Sequence, residues 1–314
     1  NHIATGKPVF RTGLNYQIAE HTYIRSSWGQ GYRFPSMAEL FISTNQSGFE
    51  IYPNSELKPE SGWSAEIGIK QGVRLGNWMG YLDVAGFLMQ YEDMMEFSFG
   101  PWGDPNTKPM QGFGFGFKSL NVGKTQIGGL EISLNGQGKI NDKLTINVLA
   151  GYTYMNHKSL TPDEVYGYGY NHGDTIEDVI YDQSVTYNNS SSDSTLLKYR
   201  YNHIAKLDLE IIYKKLSIGG SFRSNDFMRN IDKIFTTAFV SGDENMVGMI
   251  PGINDAREKF KDGDFLIDTR IGYQYNDNIR VSFIIDNLLN REYMSRPADM
   301  RPPRMFALQM SLKI

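Results

Sequence analysis

The chain has 314 residues, a formal net charge of −4, 21% charged and 40% hydrophobic residues, and no cysteine. These figures exclude disulfides and thiolate metal sites, give no nucleic-acid footprint, and leave no window near the roughly 18 uncharged apolar residues that a membrane helix needs. A mean hydropathy of −0.41 suits a soluble β-sandwich, and equally a transmembrane barrel, whose strands turn only alternate residues to lipid.

In chain order, about eleven segments alternate apolar and polar residues: 8–18, 22–33, 62–73, 78–97, 118–137, 143–156, 201–214, 215–225, 264–275, 279–289 and 304–314. Leu144, Ile146, Val148, Ala150, Tyr152 and Tyr154 share one face, against Thr145, Asn147, Leu149, Gly151 and Thr153 on the other. Ala205, Leu207, Leu209, Ile211 and Tyr213 likewise alternate with Lys206, Asp208, Glu210 and Ile212. A period of two with a charged second face gives each strand a dry side and a wet side. Most segments run to about ten residues or more, the length a tilted strand needs to cross a bilayer; soluble strands are nearer about five or six. The 78–97 segment alternates least cleanly, with Asp83 and Ala85 among large apolar neighbours.

Connections alternate in length too. Short ones fall at 19–21, 74–77, 138–142, 214–215 and 276–278, long ones at 34–61, 98–117, 157–200, 226–263 and 290–303. Outer-membrane barrels are built this way, with long loops outside the cell and short periplasmic turns, so the last strand should run inward to a periplasmic C-terminus. Eleven strands alone would leave two edges of unpaired N–H and C=O groups in lipid, a few kcal/mol apiece. Partner strands are therefore expected to precede this sequence in the full protein. Asn1, with no Met and no signal peptide, reads as the start of a mature product or a fragment.

The most specific stretch is Trp28-Gly29-Gln30-Gly31-Tyr32-Arg33-Phe34-Pro35-Ser36-Met37-Ala38-Glu39-Leu40-Phe41, followed by Pro53-Asn54-Ser55-Glu56-Leu57-Lys58-Pro59-Glu60. It resembles a passage of TonB-dependent outer-membrane receptors. Ile127-Gly128-Gly129-Leu130-Glu131, Asp286-Asn287-Leu288-Leu289-Asn290-Arg291-Glu292-Tyr293 and Pro302-Pro303-Arg304-Met305-Phe306 resemble later signatures of that family in the same order. The resemblance implies an all-β fold, an antiparallel transmembrane β-barrel of about 22 strands, of which 1–314 would be the C-terminal portion, without plug domain or N-terminal barrel half. On local physics alone, Gly29, Gly31 and Pro35 shape a strand end, and Pro59 sits at a strand start. Asn287 and Asn290 satisfy loop backbone through their side chains.

The resemblance also implies substrate contacts at the outer mouth. Two loops carry candidates. Phe113, Phe115 and Phe117 alternate with Gly114 and Gly116, and with Trp102 would form an aromatic wall for a planar or hydrophobic ligand, or else an interfacial girdle. Tyr166, Tyr168, Tyr170 and His172, with Asp174, Tyr181 and Asp182, offer broad amphipathic contact at low side-chain entropy. His172 or His157 is a haem or metal ligand only against the commoner reading of a solvated side chain. The loop 229–261 should carry a short helix near 232–239. On the wet face, Lys206, Asp208, Glu210, Arg223, Asp268, Arg270, Arg280 and Asp286 mix signs, which suits pairing or a polar plug better than an ion-selective pore.

No phosphate-binding glycine loop, G-x-S-x-G elbow or H-E-x-x-H pair is present, and Ser36, Ser43 and the five His form no catalytic pattern. The expected function is active uptake of a scarce nutrient complex (iron chelate, haem, cobalamin, oligosaccharide or peptide), with no enzyme activity, cofactor or resident metal. Expected partners are the missing barrel half and plug, a TonB-type energy-coupling protein, membrane lipid and, for oligosaccharide or peptide cargo, a surface lipoprotein. The alternative is a structural or adhesive outer-membrane barrel acting through protein contacts of its loops.

Overall fold

The computed structural model describes residues 8–46, 49–104, 114–172, 179–245, 247–294 and 299–313. In chain order the strands are β1 (Arg11–Ala19), β2 (Thr22–Arg33), β3 (Thr44–Gln46), β4 (Phe49–Tyr52), β5 (Glu60–Leu75), β6 (Trp78–Glu92), β7 (Met95–Pro101), β8 (Phe115–Asn121) and β9 (Thr125–Asn141). They continue with β10 (Leu144–Ser159), β11 (Gly167–His172), β12 (Val179–Val185), β13 (His203–Tyr213), β14 (Leu216–Asn225), β15 (Asp264–Gln274), β16 (Ile279–Asp286) and β17 (Met305–Leu312). Short helices α1 (Met37–Phe41), α2 (Tyr187–Ser190), α3 (Ala238–Ser241) and α4 (Ile253–Lys259), with a 3-10 turn at Lys233–Thr236, lie in the long connections.

Eleven strands form one open antiparallel sheet, the wall, in the order β1-β2-β5-β6-β9-β10-β13-β14-β15-β16-β17. Each wall strand pairs with its neighbour in sequence, apart from inserted loops. β1 and β17 are the two edges, and the expected eleven-stranded antiparallel sheet does not close on itself. Register explains the alternation. Ile146, Ile211, Ile218, Ile271, Phe283 and Leu308 pair in succession across six strands and point outward. Leu308 is 76% exposed and Ile218 51%, an arrangement a soluble sheet would not hold on its surface in a continuous band.

The opposite face is polar and internally paired. Arg25 bridges Glu66 at 3.0 Å and Asp83 at 2.7 Å. Arg270 holds Asp208 with two 2.8 Å hydrogen bonds, Arg280 reaches Glu210 at 3.0 Å, and Arg223 reaches Asp268 at 2.8 Å. Of the mixed signs seen in sequence, Asp208, Glu210, Arg223, Asp268, Arg270 and Arg280 thus form ion pairs, between adjacent strands or across one or two intervening ones. Asp83 belongs to this face, which accounts for the irregular look of its segment.

Two segment boundaries differ from expectation, and the backbone shows why. The run 78–97 splits at Asp93, which takes φ 52°, and the run 118–137 splits before Gly123, at φ 80°. Residues on the far side of each break leave the wall: β7 pairs with β8, not with wall strands. β3, β4, β8 and β7 form a second, four-stranded sheet within the connections at the long-loop end, with β4 and β8 parallel. β11 and β12 form a separate hairpin there. The long connections therefore fold into a cap. A short helix was expected near 232–239; the 3-10 turn and α3 occupy that stretch.

Candidate ligand site in the cap

The most specific sequence stretch anchors the cap to the wall. Arg33, the last residue of β2, donates from Nη1 to Glu39 at 2.9 Å and from Nε to Glu60 at 3.0 Å. Ser36 and Glu39 form a reciprocal capping box at the start of α1. Glu60 opens β5 and accepts from the backbone N–H of Met95 at 2.9 Å, which ties the start of β7 to the wall. Asn54 donates to the Ser119 carbonyl at 2.9 Å. Near the other end, Asn287 takes φ 52°, is buried, accepts from the Arg291 N–H and donates to its carbonyl. Asn290 accepts from the Arg304 N–H at 2.9 Å. Both asparagines satisfy loop backbone, as expected, and Pro59 sits just ahead of β5.

The cap sheet has two chemically distinct faces. On one, Phe97 stacks on Phe117 with centroids 5.0 Å apart, and Phe99 packs against Phe49, Phe115, Phe117 and Phe235. Phe239 of α3 covers Phe115 at 5.3 Å. On the other face, Ser98 and Glu96 meet a charged side chain from the 186–202 connection. Lys198 has a side chain 1% exposed; its Nζ lies 2.7 Å from Asp232 Oδ1, 3.0 Å from Ser98 Oγ and 3.9 Å from Glu96 Oε2. Asp232 Oδ2 accepts from the Tyr199 hydroxyl at 2.7 Å and from the Phe99 N–H at 3.0 Å. The Tyr187 hydroxyl accepts the Lys198 N–H at 2.7 Å and donates to Glu96. Three connections, 93–124, 186–202 and 226–263, therefore converge on one buried ion pair.

The electrostatics separate the two carboxyl groups. Burial pushes Glu96 above the ordinary carboxylate range, and Lys198 offsets this only in part. Burial also opposes the charge on Lys198, yet Asp232 holds its ammonium well above the usual lysine value. Of the two acids, Asp232 at 2.7 Å is the ionic partner, while the more distant Glu96 favours its neutral form. Burial likewise raises Tyr166, Tyr187 and Tyr199, so all three remain neutral hydrogen-bonding phenols.

A cleft of about 200 Å³ lies beside this cluster, lined among others by Trp102, Tyr166, Gln183, Asp232, Lys233 and Thr237. Trp102 is buried, donates from Nε1 to the Ser98 carbonyl at 3.2 Å, and packs with Leu120, Val185, Tyr52 and Tyr166. Phe115 is buried in the phenylalanine face. The Tyr166 hydroxyl pairs with Ser190 Oγ. Tyr168 is 54% exposed on β11, and Tyr170, two residues on, is half-buried. The structure thus brings Trp102 and Tyr166 together at one cleft and sets Phe115 on the other sheet face. Phe113 and Asp174 lie outside the described residues, as do the side chains of His172, Tyr181 and Asp182. His157 is buried and accepts the Leu197 N–H on Nδ1 at 3.1 Å. Among the described residues no group of three or more His, Cys, Asp or Glu could hold a metal ion.

Lys198, Asp232 and Glu96 were not singled out in the sequence. Each is one ordinary charge, and they meet only because the Lys198 and Asp232 connections both pack on β7, whose Phe99 N–H bonds Asp232 from 133 residues away in sequence.

The sequence model described as "TonB dependent receptor-like, beta-barrel" matches residues 4–288. Among solved structures, the siderophore receptor PiuA of Acinetobacter baumannii superposes with a TM-score of 0.56 at 18% identity, over 97% of this chain and 35% of its own. The copper transporter OprC gives 0.58 at 16% identity, over 96% of this chain and 39% of its own. The Serratia marcescens hemophore receptor HasR, in complex with its hemophore HasA and heme, gives 0.55 at 16% identity, over 97% and 39%. Identities this low carry the fold alone, and the chain spans well under half of each of these proteins. No curated protein sequence matched. The family match extends over nearly the whole chain, and the large antiparallel sheet observed is of the strand architecture that it names: the chain belongs to the TonB-dependent receptor β-barrel family.

Proposed function

We propose that this chain is the C-terminal part of the barrel of an outer-membrane receptor that actively imports a scarce nutrient complex and is not an enzyme. The observation that carries this reading is the pairing of two structures in one chain. A wall with an apolar outer face and an ion-paired inner face carries at one end a cap with its own sheets and a cleft. A barrel that only filled lipid would have no need of a second sheet. In this reading the cap faces outside and the C-terminus lies in the periplasm. An upstream barrel half closes the edges at β1 and β17, a plug fills the lumen against the paired charges, and an inner-membrane TonB-type protein supplies energy. In this reading Trp102 and Tyr166 at the cleft and exposed Tyr168 would contact the ligand, joined by Tyr170, Phe115, Phe113 and His172 as loop candidates. Iron chelate, haem, cobalamin, oligosaccharide and peptide are the cargo classes; a surface lipoprotein would accompany the last two.

The test is native mass spectrometry of the full-length protein from nutrient-limited cells, coupled to uptake of the co-purifying compound. A reproducible small-molecule adduct, lost when Trp102 and Tyr168 are replaced by Ala, is the expected result. A barrel that is always empty and whose deletion leaves uptake unchanged overturns the reading in favour of a structural or adhesive role.

A further inference from the structure

The Lys198–Asp232 pair sets a nucleophile against an electrophile. Lys198 Nζ lies 2.7 Å from Asp232 Oδ1, so the nitrogen sits beside the carboxyl carbon to which Oδ1 is bonded. Both side chains are 1% exposed. Two such groups held in contact react as one molecule, with no encounter or ordering left to achieve. They lie 34 residues apart in sequence, in a chain with no cysteine to cross-link its long connections.

The neighbours complete a condensation site. Asp232 Oδ2 accepts from the Tyr199 hydroxyl at 2.7 Å and from the Phe99 N–H at 3.0 Å. These fixed donors face the oxygen on which negative charge develops when Cγ becomes tetrahedral. Glu96 Oε2 lies 3.9 Å from Nζ, and burial favours its neutral carboxyl, the form that can give a proton and take one back. Ser98 and Asp232 both line the cleft of about 200 Å³, which gives a released water its exit. In bulk water hydration favours the separated ions. In a sealed site neither ion is hydrated, so the balance moves toward a neutral amide and an expelled water.

We propose that Lys198 and Asp232 condense to an intramolecular isopeptide bond that locks the 186–202 connection to the 226–263 connection, with Glu96 carrying the protons. A proton first passes from Nζ to Oδ1, leaving a neutral amine and a neutral acid. The Nζ lone pair then attacks Cγ and the C–N bond forms. Glu96 gives its proton to the departing Oδ1 and takes one from Nζ; the Cγ–Oδ1 bond breaks and one water leaves. No oxidant or co-reactant is consumed, and Glu96 ends as it began. Asp232 holds the Lys198 ammonium protonated, so the neutral pair is the minor state. Freshly folded protein therefore carries the ion pair, and the bond accumulates slowly. The reaction uses neither Trp102 nor any cargo, and stands whether or not the chain imports a nutrient.

The test is intact-mass spectrometry of the full-length protein in detergent, followed for a week at growth temperature, with peptide mapping. The wild type is expected to lose the mass of one water, at a rate independent of protein concentration. Digestion should then yield a branched peptide that joins Lys198 to Asp232. Lys198→Arg keeps the charge but cannot form the bond, and should hold full mass. Glu96→Gln keeps a polar group beside Nζ and should slow the loss about a hundredfold. Wild type still at full mass after the week overturns the proposal, a result that needs no variant to fold. So does a water loss that persists in Lys198→Arg, or one that maps elsewhere, such as to Asp262-Gly263. An undiminished rate in folded Glu96→Gln overturns the role given to Glu96.

Discussion

In the wall, neighbours in sequence are neighbours in space, and polar pairs stand half open: Arg270 and Asp208 expose 32% and 37% of their side chains. In the cap, strands far apart in sequence meet, and the central pair is sealed, Lys198 and Asp232 each exposing 1%. Partly exposed ion pairs contribute little individually, so the wall spreads its stability over many ladder bonds and a lipid-facing surface. A sealed pair is different. Its desolvation is recovered only while both partners are present, so cap stability is concentrated in one contact.

The largest expected effect breaks that contact. Lys198→Met or Asp232→Leu leaves one buried charge alone and should loosen the cap by about 3–5 kcal/mol, whereas the double variant should recover much of the loss. Hydrogen exchange of residues 93–104, 114–124 and 186–202 reads the cap; gel migration before and after heating reads the wall. If the single variants destabilise the wall as much as the cap, the two regions are not separate.

The next effect tests the medium on each side of the wall. Leu209 is 36% exposed and Leu149 is 57% exposed, so solvent-style exposure alone would rank Leu149 as the more tolerant only slightly. They sit on opposite faces: Leu209 pairs with Val148 in the apolar row, and Leu149 pairs with Asp208 on the charged face. Leu209→Arg should cost about 2–4 kcal/mol near the bilayer middle, and Leu149→Arg, placed beside an acid, close to nothing. Reversible denaturant unfolding in lipid vesicles measures both.

That contrast also explains what the sequence could reveal. Alternation survives in β10 and β13 because each side chain answers to one medium, lipid or polar interior, and the medium is the same along the strand. All eleven wall strands were legible for that reason. The cap was not, because β4 pairs with β8 from a different connection and neither strand alternates against a fixed medium. Trp102 and Phe115 were legible as an aromatic concentration, but whether such rings face a ligand or each other depends on pairing that no local pattern encodes. The Lys198–Asp232 pair left no mark at all beyond two ordinary charges.

A smaller effect concerns the hinge between regions. Arg33 is 46% exposed, so its bonds to Glu39 and Glu60 are screened, and Arg33→Ala should cost only about 1 kcal/mol. The expected signature is local: faster proteolysis within 34–59, with amide protection of β13 and β14 unchanged. Loss of protection across the wall would show that the motif supports the sheet and not the cap.

The smallest effect is a pH slope, and its sign follows from burial. Glu96 is raised from the ordinary value of 4.5, so the folded cap binds its proton more tightly than the open cap does. Stability from the neutral carboxyl is complete below pH 4.5 and is lost as pH climbs through the raised value. Cap protection should therefore fall as pH rises through that window, with a slope no steeper than about 1.4 kcal/mol per pH unit, the limit for one proton. Glu96→Gln mimics the protonated form, so it should flatten the slope and exceed wild type above the window. The wall, whose ion pairs need ionised acids, should not share the trend: amides of β13 and β14, measured in the same hydrogen-exchange series, should gain protection or hold steady over the same pH rise. A Glu96→Gln cap that keeps the wild-type slope would place the titrating group elsewhere in the cluster and leave Glu96 as a second ionic partner of Lys198.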